Sequence, residues 1–166
     1  MPEVGQHIGP FILNKWVSSN PNVSLYYANN PEGTRTLGNA AIRVLNNGHR
    51  DEANQSRLNE DYLLLQSIDH PSFPNVYHNY TSQYAYAREW IEGVSLKDLL
   101  NAHKNVKLTL DLPTTLDIIL EIAKALQYLH NQRTSIVHGR LNLDHVLLAP
   151  NGDVFLIGLR ANDQQN

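Results

Sequence analysis

Eight histidines and no cysteine set the first limits on the chemistry open to this 166-residue chain. Without a thiol there is no cysteine nucleophile, no disulfide framework and no thiolate zinc site. The histidines show no pair at helical ligand spacing with a carboxylate, so a structural or surface role outweighs metal binding and no metal is expected. The other side chains of chemical interest are arginines (Arg43, Arg88, Arg140, Arg160) and scattered carboxylates (Asp61, Asp144, Asp153). A guanidinium is protonated at any ordinary pH, so it can bind an anion but cannot take a proton from a hydroxyl. A net charge of −3 with 17% charged residues excludes a strongly basic arm or tail, and no nucleic-acid partner is expected.

Positioning those side chains takes a core, and 42% apolar content in 18.8 kDa suffices for one full core or two small lobes. The longest apolar runs, such as Val146 to Ala149, are far short of the roughly 20 residues that span a bilayer, so no membrane contact is expected. Met1 to Gln6 carry neither a basic segment nor an apolar one, and the sequence predicts an intracellular, cytoplasmic protein.

Short apolar runs separated by turn residues predict strands at Phe11 to Leu13, Val23 to Ala28, Ala40 to Leu45, Val76 to Tyr80 and Tyr84 to Ile91. Turns are expected at 18–22 and 29–33, and a loop over 46–56. Leu58, Tyr62, Leu65 and Ile68 recur at helical spacing, and Pro71 stops that helix. Ser95 with Asp98 three residues on predicts a capped short helix. Pro113 sits just inside a longer helix with a wide apolar face, reaching His130. A hairpin follows, Val146 to Ala149 and Val154 to Ile157 around Pro150-Asn151-Gly152-Asp153.

This order of elements resembles the protein kinase fold, and the residues agree at many anchors. Leu25-Tyr26-Tyr27-Ala28 resembles V-Y-x-A, Ala41-Ile42-Arg43 resembles A-I-K, and His70-Pro71 resembles the H-P after the C-helix. Glu89 to Leu96 resembles the hinge, and Ala125 to His130 resembles A-L-x-Y-L-H. Ile136-Val137-His138-Gly139-Arg140-Leu141 resembles I-V-H-R-D-L, followed by Val146-Leu147-Leu148 for I-L-L. The alternative is an unrelated α+β domain with chance matches. The resemblance implies an α+β, kinase-like fold: a five-stranded antiparallel N-lobe with one C-helix over 9–91, a truncated and mainly helical C-lobe over 92–161, and a polar tail at 162–166.

In that register the catalytic positions are degenerate. The glycine positions of the phosphate loop hold Ser18, Asn20 and Val23. Arg43 replaces the strand lysine and Asp61 the C-helix glutamate; the two could still pair. Arg140 replaces the catalytic aspartate, Asn142 the lysine after it, His145 the metal-binding asparagine, and Gly158 opens the D-F-G equivalent Gly158-Leu159-Arg160. Leu25, Ala41 and Leu147 match the residues that sandwich adenine, with Glu89 and Ile91 in the hinge. Arg43, Arg140 and Arg160 could offset a polyphosphate without a metal, or pair with Asp144 and Asp153. Arg88, at the gatekeeper position, could block the inner pocket, reach a phosphate, or pair with Asp61 or Glu60. Leu65, Val76, His138 and Leu159 match the regulatory spine.

The G-L-R triplet, the strand arginine and the histidine at the metal position are similar to the STRAD family of pseudokinase adaptors, although Gly139-Arg140 departs from its pattern. The resemblance implies a catalytically inactive allosteric or scaffold module for a protein partner such as a Ser/Thr kinase or a scaffold protein. It implies no required cofactor, and ATP binding without magnesium. The apolar helix 113–130 predicts self-association, or a partner or further C-terminal segment that covers it, the alternative being a C-terminal half that folds back over both its sides. The alternatives are an atypical kinase-fold transferase, for which only Asp144 and Asp153 offer nearby carboxylates, and a pure interaction domain without nucleotide.

Overall fold

The computed structural model describes residues 2–31, 38–106 and 109–161. The turn expected at 29–33 lies partly outside these residues, and the tail at 162–166 wholly outside them. The chain divides into two compact units. The first joins Met1–Ser67 with Asn75–Trp90, and the second joins Ile68–Pro74 with Ile91–Asn166.

The first unit is an antiparallel sheet of β1 (His7–Ile8), β2 (Phe11–Ser19), β3 (Val23–Asn29), β4 (Ala40–Leu45), β5 (Val76–Tyr80) and β6 (Ala85–Glu89). The strand order is β1-β2-β3-β4-β6-β5, six strands where the sequence predicts five. The additional β1 is a two-residue strand, too short to show any alternation. Strand β2 also runs past Leu13 into the expected turn. Register shifts between Leu13 and Lys15 and between Trp16 and Ser18 break its period-two pattern, and so hide it in the sequence.

Alternation divides β3, β4 and β6 between two faces. Tyr26, Ile42, Val44, Ala85 and Ala87 join Phe11 and Leu13 in the core. On the opposite face Leu25, Arg43 and Tyr86 lie side by side across three strands, and Tyr27, Ala41 and Arg88 form the neighbouring row. Helix α1 (Glu52–Gln66) belongs to this unit and starts five residues before the expected Arg57. The loop predicted over 46–56 is therefore partly helix. Asp51 caps it, accepting from the Asn54 N–H at 2.9 Å, and the first turn is polar because it is largely solvated.

The second unit holds α2 (Leu96–Asn105), α3 (Leu112–His130) and a three-stranded sheet of β7 (Val94–Ser95), β8 (Val146–Leu148) and β9 (Val154–Leu156) in sequence order. The Ser95 hydroxyl caps α2 by accepting from the Asp98 N–H at 3.0 Å. Asp111 caps α3 by accepting from the Thr114 N–H at 2.8 Å, with Pro113 in the first turn. Ile118, Ala125 and Leu129 are the buried residues of α3. The segment 68–74 is fixed here as well: the Tyr128 hydroxyl accepts from the Asp69 N–H at 2.9 Å, and the His70 ring packs on Tyr128 with centroids 4.9 Å apart. Among the described residues no helix is long and apolar enough to cross a membrane.

The capping carboxylates make helix stability depend on pH. The backbone N–H groups of Asn54 and Thr114 hold Asp51 and Asp111 below the usual aspartate range. Their stabilisation is full above an unfolded-state pKa of about 3.9 and is lost as pH falls through the lowered folded values. The Asp111→Ala variant is expected to lose helical ellipticity relative to wild type at pH 7 and to match it at pH 2. An equal deficit at both values would show that the carboxylate charge plays no part.

Candidate functional site

In the first unit, the turn between β2 and β3 is tied down from within. The Asn20 side-chain oxygen accepts from the N–H groups of Asn22 (2.9 Å) and Val23 (2.8 Å). Asn46, just beyond β4, donates through its amide to the carbonyls of Asn20 (3.1 Å) and Pro21 (2.9 Å) and accepts from the buried Ser24 hydroxyl at 2.6 Å. Backbone N–H groups that would cradle a phosphate are thus already engaged.

Arg43 and Asp61 meet at 2.9 Å, with side chains 11% and 7% exposed. The Arg43 guanidinium also donates to the Tyr86 hydroxyl at 3.3 Å. Burial works against its charge, but Tyr86 and Asp61 outweigh that and hold Arg43 above the ordinary arginine value. Arg88, diagonal to Arg43 on the same face, pairs with neither Asp61 nor Glu60; it donates to the Glu89 carbonyl at 3.3 Å. Burial lowers its pKa and the nearby Arg43 adds to the effect, with Tyr86 and Glu89 opposing. The Glu89 carboxylate accepts from the Asn75 backbone and side chain, at 3.1 and 2.9 Å. Leu25 is half-buried and Ala41 is buried.

In the second unit, the residues that the register places at the catalytic and metal-binding positions contact one another. Asn142 turns the chain, its side-chain oxygen accepting from the N–H groups of Asp144 (2.9 Å) and His145 (3.1 Å). His145 Nδ1 lies 2.6 Å from the Arg140 carbonyl, which can only accept, so this nitrogen carries the proton. Gly158 has φ +89°, and a Cβ there would stand 2.9 Å from atoms of the His145 ring. Only glycine suits both the backbone and the neighbouring imidazole. Gly139, between His138 and Arg140, has φ +70°. Asp144 pairs with Lys97 at 3.0 Å, and the Asp153 carboxylate accepts from Asn151 at 2.7 Å. Arg140 is exposed and Arg160 half-buried; Leu147 lies on β8 opposite Ser95 and Phe155, and Ile91 is buried.

Magnesium takes oxygen ligands, and the places assigned to its ligands hold an imidazole engaged with a carbonyl and a glycine, so these residues do not fit it. Among the described residues no three His, Asp or Glu side chains group to hold any metal. Of the spine positions, Leu65 is buried on α1 and Val76 opens β5, while His138 and Leu159 are buried in the second unit.

Asn46, Tyr86 and Lys97 were not legible as site residues. The alternation of β6 carries a signal for Tyr86, two residues from Arg88 on the same face. Asn46 and Lys97 act on segments distant in sequence, and no local pattern marks them.

A sheet with one helix feeding a mainly helical unit, with these motifs in order, defines a kinase-like domain. Residues 21–158 match the protein tyrosine and serine/threonine kinase family, and the chain belongs to that family. It is 36% identical over 92 residues to human serine/threonine-protein kinase TNNI3K, covering 54% of this chain and 11% of that one. It is 30% identical over 122 residues to the meiosis-specific serine/threonine-protein kinase mek1 of Schizosaccharomyces pombe, covering 71% of this chain and 25% of that one. The chain thus spans a quarter or less of the length of these relatives. Among solved structures, the PpkA-294 apo form superposes with a TM-score of 0.75 at 15% identity, over 99% of this chain and 63% of that one. The Mycobacterium tuberculosis PknI kinase domain gives 0.68 at 18% identity, over 94% and 61%. At these identities the structural likeness speaks for the fold.

Breaking the buried ion pair from one side should cost far more than removing it whole. Asp61→Leu leaves a buried guanidinium without its carboxylate and is expected to cost about 3–5 kcal/mol in urea unfolding. Arg43→Met combined with Asp61→Leu should recover most of that loss. Equal destabilisation by the single and double variants would mean that the pair does not act as a unit.

Proposed function

We propose that this domain is a pseudokinase, a kinase-family module that acts by binding a protein partner and not by phosphoryl transfer. The observation that carries the reading is the packing of His145 against Gly158, with Arg140 bonded to His145 through its carbonyl. Phosphoryl transfer in this family relies on a base that orients the hydroxyl and on metal ions that neutralise charge. Arg140 cannot serve as the base, and His145 and Gly158 offer no oxygen ligand.

Any nucleotide the domain takes up is held without a metal. The kinase register nominates Arg43, Arg88, Arg140 and Arg160 for positive charge and Leu25, Ala41 and Leu147 for apolar contact, with Glu89 and Ile91 as hinge positions. In a thermal-shift titration with ATP, magnesium is expected to make no difference, and Arg140→Ala or Arg160→Ala should weaken the affinity read from any shift about tenfold or more, each charge-assisted contact contributing about 1.5–3 kcal/mol. A strict magnesium requirement, or transfer of labelled phosphate to a generic substrate by the wild type but not by a denatured control, would sink the reading and favour an atypical transferase.

The partner surface we assign to α3, where Leu112, Leu116 and Leu120 recur every four residues with 69%, 54% and 51% exposure. An apolar stripe of this kind is suited to a protein partner or to a second copy of the chain. Light scattering at micromolar concentration is expected to find the wild type self-associated and Leu116→Asp monomeric. A monomeric wild type that captures no kinase or scaffold protein through this stripe would remove α3 as the interface.

A further inference from the structure

Two Asn-Gly steps occur among the described residues, Asn47-Gly48 after β4 and Asn151-Gly152 between β8 and β9. Such a step is chemically distinctive because glycine has no Cβ to keep its backbone nitrogen away from the preceding side chain. That nitrogen can give up its proton to hydroxide and attack the asparagine Cγ. All four residues are exposed, so exposure does not separate the two steps. Their hydrogen bonds do.

At 151–152 each reacting group is engaged. The Gly152 N–H donates to the Ala149 carbonyl at 2.9 Å. The Asn151 side-chain amide donates to the Asp153 carboxylate at 2.7 Å, and its oxygen accepts from the Asp153 N–H at 3.1 Å. Carrying Cγ to the Gly152 nitrogen breaks these bonds. At 47–48, by contrast, neither the Asn47 side chain nor the Gly48 N–H makes a hydrogen bond among the described residues. The two residues open a single 3₁₀ turn, Asn47–His49, which has no side-chain cap. One bond closes it, from the His49 N–H to the Asn46 carbonyl at 2.8 Å. A lone exposed turn opens locally at small cost, and that frees the backbone for the attack.

We propose that Asn47 is a site of spontaneous covalent modification, deamidation through a succinimide, and that Asp153 protects Asn151 from the same reaction. The Gly48 nitrogen, deprotonated by hydroxide, forms a bond to Asn47 Cγ, and the Cγ–Nδ2 bond breaks to release ammonia. Water then opens the succinimide ring at either carbonyl, leaving aspartate or isoaspartate at position 47. Both products place a carboxylate beside Asn46, the residue that holds the turn between β2 and β3. The isoaspartyl form also lengthens the main chain inside the turn that the Asn46 carbonyl closes. The site is independent of the pseudokinase reading and would stand if that reading failed.

Peptide mapping by mass spectrometry of the full chain, incubated at mildly alkaline pH in buffer and in urea, tests the proposal. Urea removes the native bonds and gives each step its intrinsic rate. The native rate divided by the urea rate is expected to be about tenfold or more higher at Asn47 than at Asn151. Gly48→Ala, where a Cβ would meet nothing within 4 Å, should slow conversion at 47 about tenfold and leave 151 unchanged. Asp153→Ala should speed conversion at 151 and leave 47 unchanged. Equal native-to-urea ratios, or a lower ratio at Asn47, would overturn the proposal. Conversion at 47 that Gly48→Ala does not slow would also overturn it, since the Gly48 nitrogen would then not be the nucleophile. Conversion at 151 that Asp153→Ala does not speed would remove Asp153 as the protecting residue.

Discussion

A charge placed under a sheet must be answered by another, and in the first unit Arg43 and Asp61 meet that requirement. The pair sits at 2.9 Å with both side chains nearly out of water, so neither can be lost alone without stranding the other. It ties α1 to the face of β4, and Tyr86 completes the arrangement from the neighbouring strand. Arg88 lies on the same face and makes no ion pair among the described residues, and burial works against its charge. Helix, sheet face and gatekeeper position are all organised around how one guanidinium is satisfied.

The same logic runs through the rest of the candidate site. Groups that phosphoryl transfer needs free are here committed to the protein itself. Asn20 closes over the backbone N–H groups of its own turn, and Asn46 holds that turn from below. Asn142 folds its side chain back onto the backbone, His145 engages the Arg140 carbonyl, and Asp144 faces Lys97. Satisfied polar networks of this kind rigidify what surrounds them.

The sequence made β2, β3, β4, β5 and β6 legible in chain order because turn residues punctuate clear apolar runs, and it located α2 and α3 through Ser95 and Pro113, but the insertion of β6 between β4 and β5 was not read. Its candidate site positions rest on the register that a resemblance supplied. What it hid has physical causes. The bulged half of β2 loses its alternation, and the first turn of α1 is polar because solvent faces it, so both looked like loop. Asn46 is one of many asparagines, and only the fold reveals that it anchors a turn more than twenty residues earlier in sequence.

The positions that depart from the kinase pattern are coupled in pairs, and this bears on what a substitution toward that pattern would meet. Arginine is longer than the lysine it replaces and aspartate shorter than glutamate, so Arg43 and Asp61 keep contact by shifting reach from one side chain to the other. An aspartate at position 158 would have to adopt φ +89° and displace the His145 ring, which is itself held by the Arg140 carbonyl. Restoring His145 to asparagine alone would remove that bond and leave space beside Gly158. Each single reversion therefore meets a neighbour already fitted to the present residue.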